Sequence, residues 1–200
     1  MQNFKPEVKI DKDKKKIFIK TSMFRVSYPN VFEAKAIQEG QAPKYSMVML
    51  FPKKHDLKWL KDAVELARKF QFGDKVPKGF KNPLKDGDSE DYADQPGYKG
   101  MMVVSCSTNA KRKPQIINNK KELITDESEF YPGCWARATL TCAGYDAGGG
   151  KGVTFYLSNV QKIKDDESFS TRRNAEDDFE EFESEDEGSE DSSNYEDMDV

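Results

Sequence analysis

Trp135 and Arg137 stand two residues apart in a run, 134–143 (CWARATLTCA), whose alternate members Cys134, Ala136, Ala138, Leu140 and Cys142 are all small or apolar. Every second side chain of an extended strand faces the same way. The run therefore has an apolar face and a face carrying Trp135, Arg137, Thr139 and Thr141. A ring beside a guanidinium suits a polyanion that carries flat bases. The ring stacks on a base for about 1–3 kcal/mol, and the cation follows the backbone. A quieter reading has Trp135 closing an edge of a core and Arg137 solvated. The pairing of aromatic and cation recurs in Arg25 with Tyr28, Lys44 with Tyr45, Tyr98 with Lys99, and Tyr145 with Lys151. Lys111, Arg112 and Lys113 form a compact basic cluster between two strand-like runs, and Lys78 and Tyr156 complete the set of candidate contacts.

Other chemistries fit less well. The only histidine, His55, lies beside Lys54 and reads as a solvated imidazole. No C-x-x-C spacing exists among Cys106, Cys134 and Cys142, so no metal site is expected, and they read as reduced core residues. The glycine run ending in Gly150-Lys151 lacks the phosphate-loop pattern, because Tyr145 and Gly152 stand where a glycine and a Ser/Thr are needed. Asp86, Asp88, Glu90, Asp91 and Asp94 could hold Mg²⁺ in a nuclease, but their spacing is not that of a calcium loop and suits a solvated segment. No catalytic residue and no cofactor is expected.

Charge is divided along the chain. Its 200 residues carry 32 Lys+Arg and 36 Asp+Glu, a net of −4. Residues 175–200 hold 14 of the acids and no base, so residues 1–174 carry +10. A basic body suits a polyanionic ligand, and a tethered acidic tail can compete for the same cleft at high effective concentration. Phe179, Phe182 and Tyr195 give the tail apolar anchors for partner proteins. No run of about 18 apolar residues suggests a membrane span. The polar start MQNFKPEVKIDKDKKK lacks an apolar leader. Both point to the cytoplasm of the cell that makes the protein.

The elements that must position these residues read as mainly β. Residues 15–20, 23–28, 44–51, 101–107, 134–143 and 152–163, with 114–117 as a weaker addition, are strand-like, and Pro29-Asn30 and Pro52 punctuate them. From Asp56, a candidate N-cap, Leu57, Leu60, Ala63, Val64, Ala67 and Phe70 recur at helical spacing up to Gly73. Residues 74–100 read as a long loop, and 144–151 as a flexible, glycine-rich hairpin tip. By alternation Phe24, Val26, Met47, Met49, Phe51, Val153, Phe155 and Leu157 form the core. The inventory predicts an oligonucleotide-binding (OB) barrel of about five strands with one amphipathic helix, although a sandwich fits the periodicity almost as well. It predicts a domain over 1–164, a linker over 165–174 and a disordered acidic tail over 175–200.

Five segments in this order, RVSYPNVFEAKA (25–36), KYSMVMLFPK (44–53), NPLKDGD (82–88), EFYPGCWARA (129–138) and KGVTFYLSNVQK (151–162), with AEDDF (175–179) after them, resemble a family of phage single-stranded-DNA-binding proteins once known only as a domain of unknown function. The resemblance implies an OB-fold, binding to single strands with little sequence preference, and a part in phage replication, recombination or repair. It further implies a tail that competes with DNA and recruits replication or recombination proteins. A metal-dependent nuclease, an RNA binder and a chaperone-like interaction protein stand as alternatives. The sequence leaves open whether the chain forms a homo-oligomer.

Overall fold

A computed structural model describes residues 4–36 and 39–169. Ten strands and one α-helix follow in the order β1 (Glu7–Asp11), β2 (Lys16–Lys20), β3 (Phe24–Lys35), β4 (Lys44–Pro52), α1 (Lys58–Phe72), β5 (Phe80–Lys81), β6 (Leu84–Asp86), β7 (Met101–Asn109), β8 (Gln115–Ile117), β9 (Trp135–Ala147) and β10 (Gly150–Lys164). Five of the strands close a ring, β3–β4–β7–β10–β9 and back to β3. All neighbours in the ring are antiparallel except β7 and β10, which run parallel at Phe155↔Cys106 and Tyr156↔Ser107. This is the expected OB-type barrel. Closure removes the free edges that a sandwich would leave.

The apolar alternation put the core where expected. Phe24, Val26, Met47, Met49, Phe51, Val153, Phe155 and Leu157 are all buried, and Phe24 meets Phe51 edge-on with ring centroids 5.3 Å apart. Cys134, Ala136, Ala138, Leu140 and Cys142 face the same interior, while Trp135, Arg137, Thr139 and Thr141 are half-buried on the other face. The helix lies between the second and third ring strands in chain order and packs its Leu60, Ala63, Val64 and Ala67 stripe on β9 and β10. The Asp56 carboxylate accepts from the Lys58 amide at 2.9 Å, one residue before the cap position at Leu57. Arg68 secures the other end, donating to the Gly73 carbonyl at 3.0 Å.

Several elements differ from expectation. The hairpin β1–β2 adds a polar strand, EVKID, whose charged residues hide it from a hydrophobicity pattern. The 74–100 stretch contains β5, β6 and a 3₁₀ turn over Glu90–Tyr92. These are too short to leave a period in the sequence. The expected hairpin is present, and its strands run further into the glycine-rich tip than the 144–151 bounds: β9 ends at Ala147 and β10 begins at Gly150. Gly148 and Gly149 both hold positive φ (61° and 75°), which two-residue hairpins of matching twist require. The three cysteines are free and buried. Among the described residues no helix is long and apolar enough to cross a membrane. The tail anchors Phe179, Phe182 and Tyr195 lie outside the described residues.

Candidate nucleic-acid interface

Arg25 begins the outward face of β3, and its register partner across the barrel seam is Trp135 at the start of β9. Both side chains point away from the core because Phe24 and Ala136, one residue away, point into it. Arg25 Nε donates to the Gly133 carbonyl. Nη2 donates to the Glu167 carbonyl at 2.7 Å, and Nη1 lies 3.3 Å from the Asp166 carboxylate. Its guanidinium stands 5.5 Å from the centroid of the Trp135 ring and 4.5 Å from that of Phe169.

The residues after β10 thus occupy the aromatic–cation site. Asp165–Phe169, the first part of the expected linker, runs as a strap against β3, β9 and the Pro132-Gly133 turn. The Asp166 carboxylate accepts from Trp135 Nε1 at 2.5 Å and also faces Arg25. Asp165 pairs with Lys162 at 2.7 Å and accepts from the Tyr131 hydroxyl at 2.9 Å. Phe169 is tied by its amide to the Pro132 carbonyl at 2.9 Å, and its ring joins a small apolar cluster with Leu50, Val103, Tyr92 and Tyr98. Two glycines permit this close seat. A methyl group on Gly97 would run into the Phe169 ring, and one on Gly133 into the strap backbone. The hydrogen bond from Trp135, with Arg25 and Lys164 nearby, holds the Asp166 carboxyl below the usual carboxylate range. Lys162 does the same for Asp165.

A wall beside this site is built by residues 87–100. Lys53 holds it down, bonded to Asp86 and, at 2.7 Å, to Asp88, and Asp88 also accepts from the Gly100 amide at 2.7 Å. Two of the acids weighed as metal ligands are therefore engaged by a lysine and a backbone amide. Among the described residues no group of three or more His, Cys, Asp or Glu side chains is placed to hold a metal ion. Tyr28, 55% exposed, stands opposite the wall and donates to Gln95 Oε1 at 2.7 Å.

Other expected contacts scatter. Tyr98 does not offer its ring to a ligand: it is 2% exposed, shares a hydrogen bond with Ser27 at 3.1 Å, and stacks on Tyr92 with centroids 5.1 Å apart. Lys44 and Tyr45 do not form a pair, because consecutive strand residues face opposite ways. Lys44 is exposed, and Tyr45 is half-buried opposite Thr108. Arg137 is half-buried, with Nε desolvated and unbonded among the described residues and the guanidinium 5.0 Å from the Phe4 ring. Lys111, Arg112 and Lys113 are exposed in the β7–β8 loop. Lys78, Tyr145 and Lys151 gather near the Gly148-Gly149 turn, at the opposite end of β9 from Trp135 and roughly 30 Å of strand away. Lys151 there pairs with Asp146 at 3.3 Å, not with Tyr145. Tyr156 is 47% exposed on the outer face of β10.

The residues missed in the sequence are Tyr92, Tyr131, Asp166 and Phe169. The signal for the last two was present: DDESF (165–169) repeats in miniature the acid-plus-aromatic chemistry of the tail.

The sequence model of the family described as "Enterobacter phage Enc34, ssDNA-binding protein" matches residues 15–190. Protein p50 of Acyrthosiphon pisum secondary endosymbiont phage 1 is 31% identical over 164 residues, covering 76% of this chain and 86% of that one. The single-stranded DNA-binding protein of bacteriophage Enc34, solved in complex with ssDNA, aligns with a TM-score of 0.68 at 29% identity, over 85% of this chain and all of that one. The bacteriophage T7 single-stranded DNA-binding protein gp2.5 shares the fold, with a TM-score of 0.58 at 14% identity over 90% of this chain and 100% of that one.

Proposed function

This chain belongs to the family of the Enterobacter phage Enc34 ssDNA-binding protein, and from that premise we propose that it binds single-stranded DNA, without catalysis and with little sequence preference. The observation that carries the reading is the Arg25–Trp135 site and its occupant. The strap puts a carboxylate on Arg25 and Trp135 Nε1, where a phosphate would sit, and a ring on the Arg25 guanidinium, where a base would stack. A site that accepts this imitation has the chemistry for the nucleotide itself.

On this reading the strap and the tail act in sequence. The acidic residues 175–200 compete for the basic body over a distance, while Asp165–Phe169 occupy the aromatic–cation site directly. Tethering places both at an effective concentration in the millimolar range. A DNA strand displaces them by adding contacts along the rest of the barrel face. Once released, Phe179, Phe182 and Tyr195 are free for replication or recombination proteins, in the cytoplasm of a phage-infected cell. Residues 1–164 form the binding domain and 175–200 the regulatory tail.

The test is a titration of single-stranded DNA, duplex and RNA of one length against three proteins: the full chain, the chain cut after Asn174, and the chain cut after Lys164. We expect single-stranded DNA to bind best, and each cut to tighten it further. Equal affinity for duplex and single strand would overturn the reading. If the cut after Asn174 changes nothing while the cut after Lys164 tightens binding, the strap alone is the competitor.

A further inference from the structure

A row of outward side chains crosses the barrel at right angles to its strands, away from the Arg25–Trp135 site. Register pairs define it. Asn30 lies beside Ser46 and Ser46 beside Ser107; Ser107 then lies beside Tyr156, Tyr156 beside Thr141, Thr141 beside Phe18, and Phe18 beside Lys9. The neighbours of these residues along each strand, Met47, Cys106, Phe155, Cys142 and Ile17, are buried, so the row itself faces outward. Its middle is small and polar, and its far end carries two rings. Tyr156 is 47% and Phe18 42% exposed, on strands either side of β9, with only Thr141 between them in the row.

Exposing two large rings on one sheet face forfeits the burial that would otherwise stabilise them, and β2 and β10 have inward positions for apolar residues already filled. Cations stand at both ends of the row. Lys9 flanks Phe18, and the two line a shallow depression together with Glu7, Lys20 and Thr139. Lys44 and the Lys111–Lys113 cluster, all exposed, border the serine end of the row. Lys20 is partly neutralised by Glu7 at 2.5 Å, whereas no carboxylate lies within ion-pair distance of Lys9 among the described residues. Rings on a polar row with cations at both ends match a single-stranded polyanion better than an apolar protein face, which would desolvate the lysines.

We propose that this row is a second segment of the single-strand path. In it Tyr156 and Phe18 each stack one base, and Lys9 and the Lys111–Lys113 cluster contact the backbone. Strands in a sheet lie about 4.8 Å apart, so the two rings arise about 10 Å apart and splay further on the convex face. That separation makes them two platforms, not one sandwich. The two serines give a low, polar floor by which the backbone reaches the rings from the β3–β4–β7 face. This inference rests on the reading of the chain as a single-strand binder and extends the length of strand it covers.

The experiment measures affinity against oligonucleotide length for the full chain and for Phe18→Ala, Phe18→Trp and Lys9→Glu. For Phe18→Ala we expect wild-type affinity on short oligonucleotides and a loss of roughly 5- to 150-fold on long ones, the range that one stacked base converts to. Phe18→Trp should restore the loss, and Lys9→Glu should lower the salt slope on long strands only. Affinity of Phe18→Ala equal to wild type at every length would overturn the proposal, as would an equal loss at every length, which would mean that Phe18 acts through the fold. Sedimentation of the free proteins closes the remaining route. A change of oligomeric state in Phe18→Ala would make the face a contact between copies of this chain. Failure of the wild-type chain to bind single strands at all would instead defeat the broader reading.

Discussion

At the scale of the residue, Arg25 holds most of the proposed mechanism. Two of its acceptors, the Asp166 carboxylate and the Glu167 carbonyl, belong to the strap, and the third, the Gly133 carbonyl, belongs to the barrel. When the strap leaves, Gly133 still orients the guanidinium, and the freed Nη atoms present a fork that fits a phosphate. Trp135 is the second such residue, its indole N–H satisfied only by the strap among the described residues. Trp135→Ala is expected to weaken single-strand binding by about 1–3 kcal/mol, one stacked base, with a cooperative thermal unfolding transition retained. A lowered melting temperature with normal affinity per folded molecule would return Trp135 to a purely structural role. The cysteines stand apart from this chemistry. Burial pushes the thiols of Cys106 and Cys142 up to about 12 and that of Cys134 to about 11, so all three pack as inert apolar groups. Tyr98 shows the limit of reading residues singly. Its neighbour Lys99 suggests an exposed stacking ring, but Ser27, distant in sequence, and Tyr92, on the same loop, hold it inside.

At the scale of the element, the strap is the feature whose behaviour can be changed by solvent alone. Its two aspartates have carboxyls held below their ordinary range when docked. A group whose pKa falls on docking favours the docked state above its free pKa and loses that contribution as pH drops through the docked one. Undocking therefore sets in below about pH 4, while DNA phosphodiesters keep their charge. The affinity gained by cutting after Lys164, compared with cutting after Phe169, should be greatest near neutral pH and shrink on acidification. A ratio that stays constant from pH 7 down to about pH 2.5, well below the free carboxyl pKa, would show that the carboxylates do not hold the strap in place. The helix, by contrast, was legible from its spacing alone, since Leu60, Ala63, Val64 and Ala67 form one buried stripe. Strand β1 was not, because a flanking strand with mostly exposed side chains has no apolar alternation to reveal it.

At the scale of the whole molecule, the net charge of −4 combines a body of +10 with the acids of residues 175–200. Binding to single strands should weaken with salt at a log–log slope of about −0.7 per phosphate neutralised. The full chain should show a shallower slope than the chain cut after Asn174, because salt also screens the competing tail, and the two curves should meet near molar salt, where the screening length is about 3 Å. Parallel curves at all salt concentrations would remove the tail from the competition. The sequence by itself determined the inside of this protein: strand alternation names the core, helical spacing names α1, and the division of charge along the chain names a polyanion as ligand. These are local periodicities and sums, and they need no knowledge of which strand lies beside which. Only the tertiary structure decided which outward residues meet. Arg25 reaches Trp135 through barrel closure and Phe169 through the return of the chain, while strand register across β9 sets Phe18 and Tyr156 in one outward row with Thr141 between them. Such meetings join residues more than a hundred positions apart, and the pairing of strands that creates them is paid in loop-closure entropy that leaves no mark on either segment.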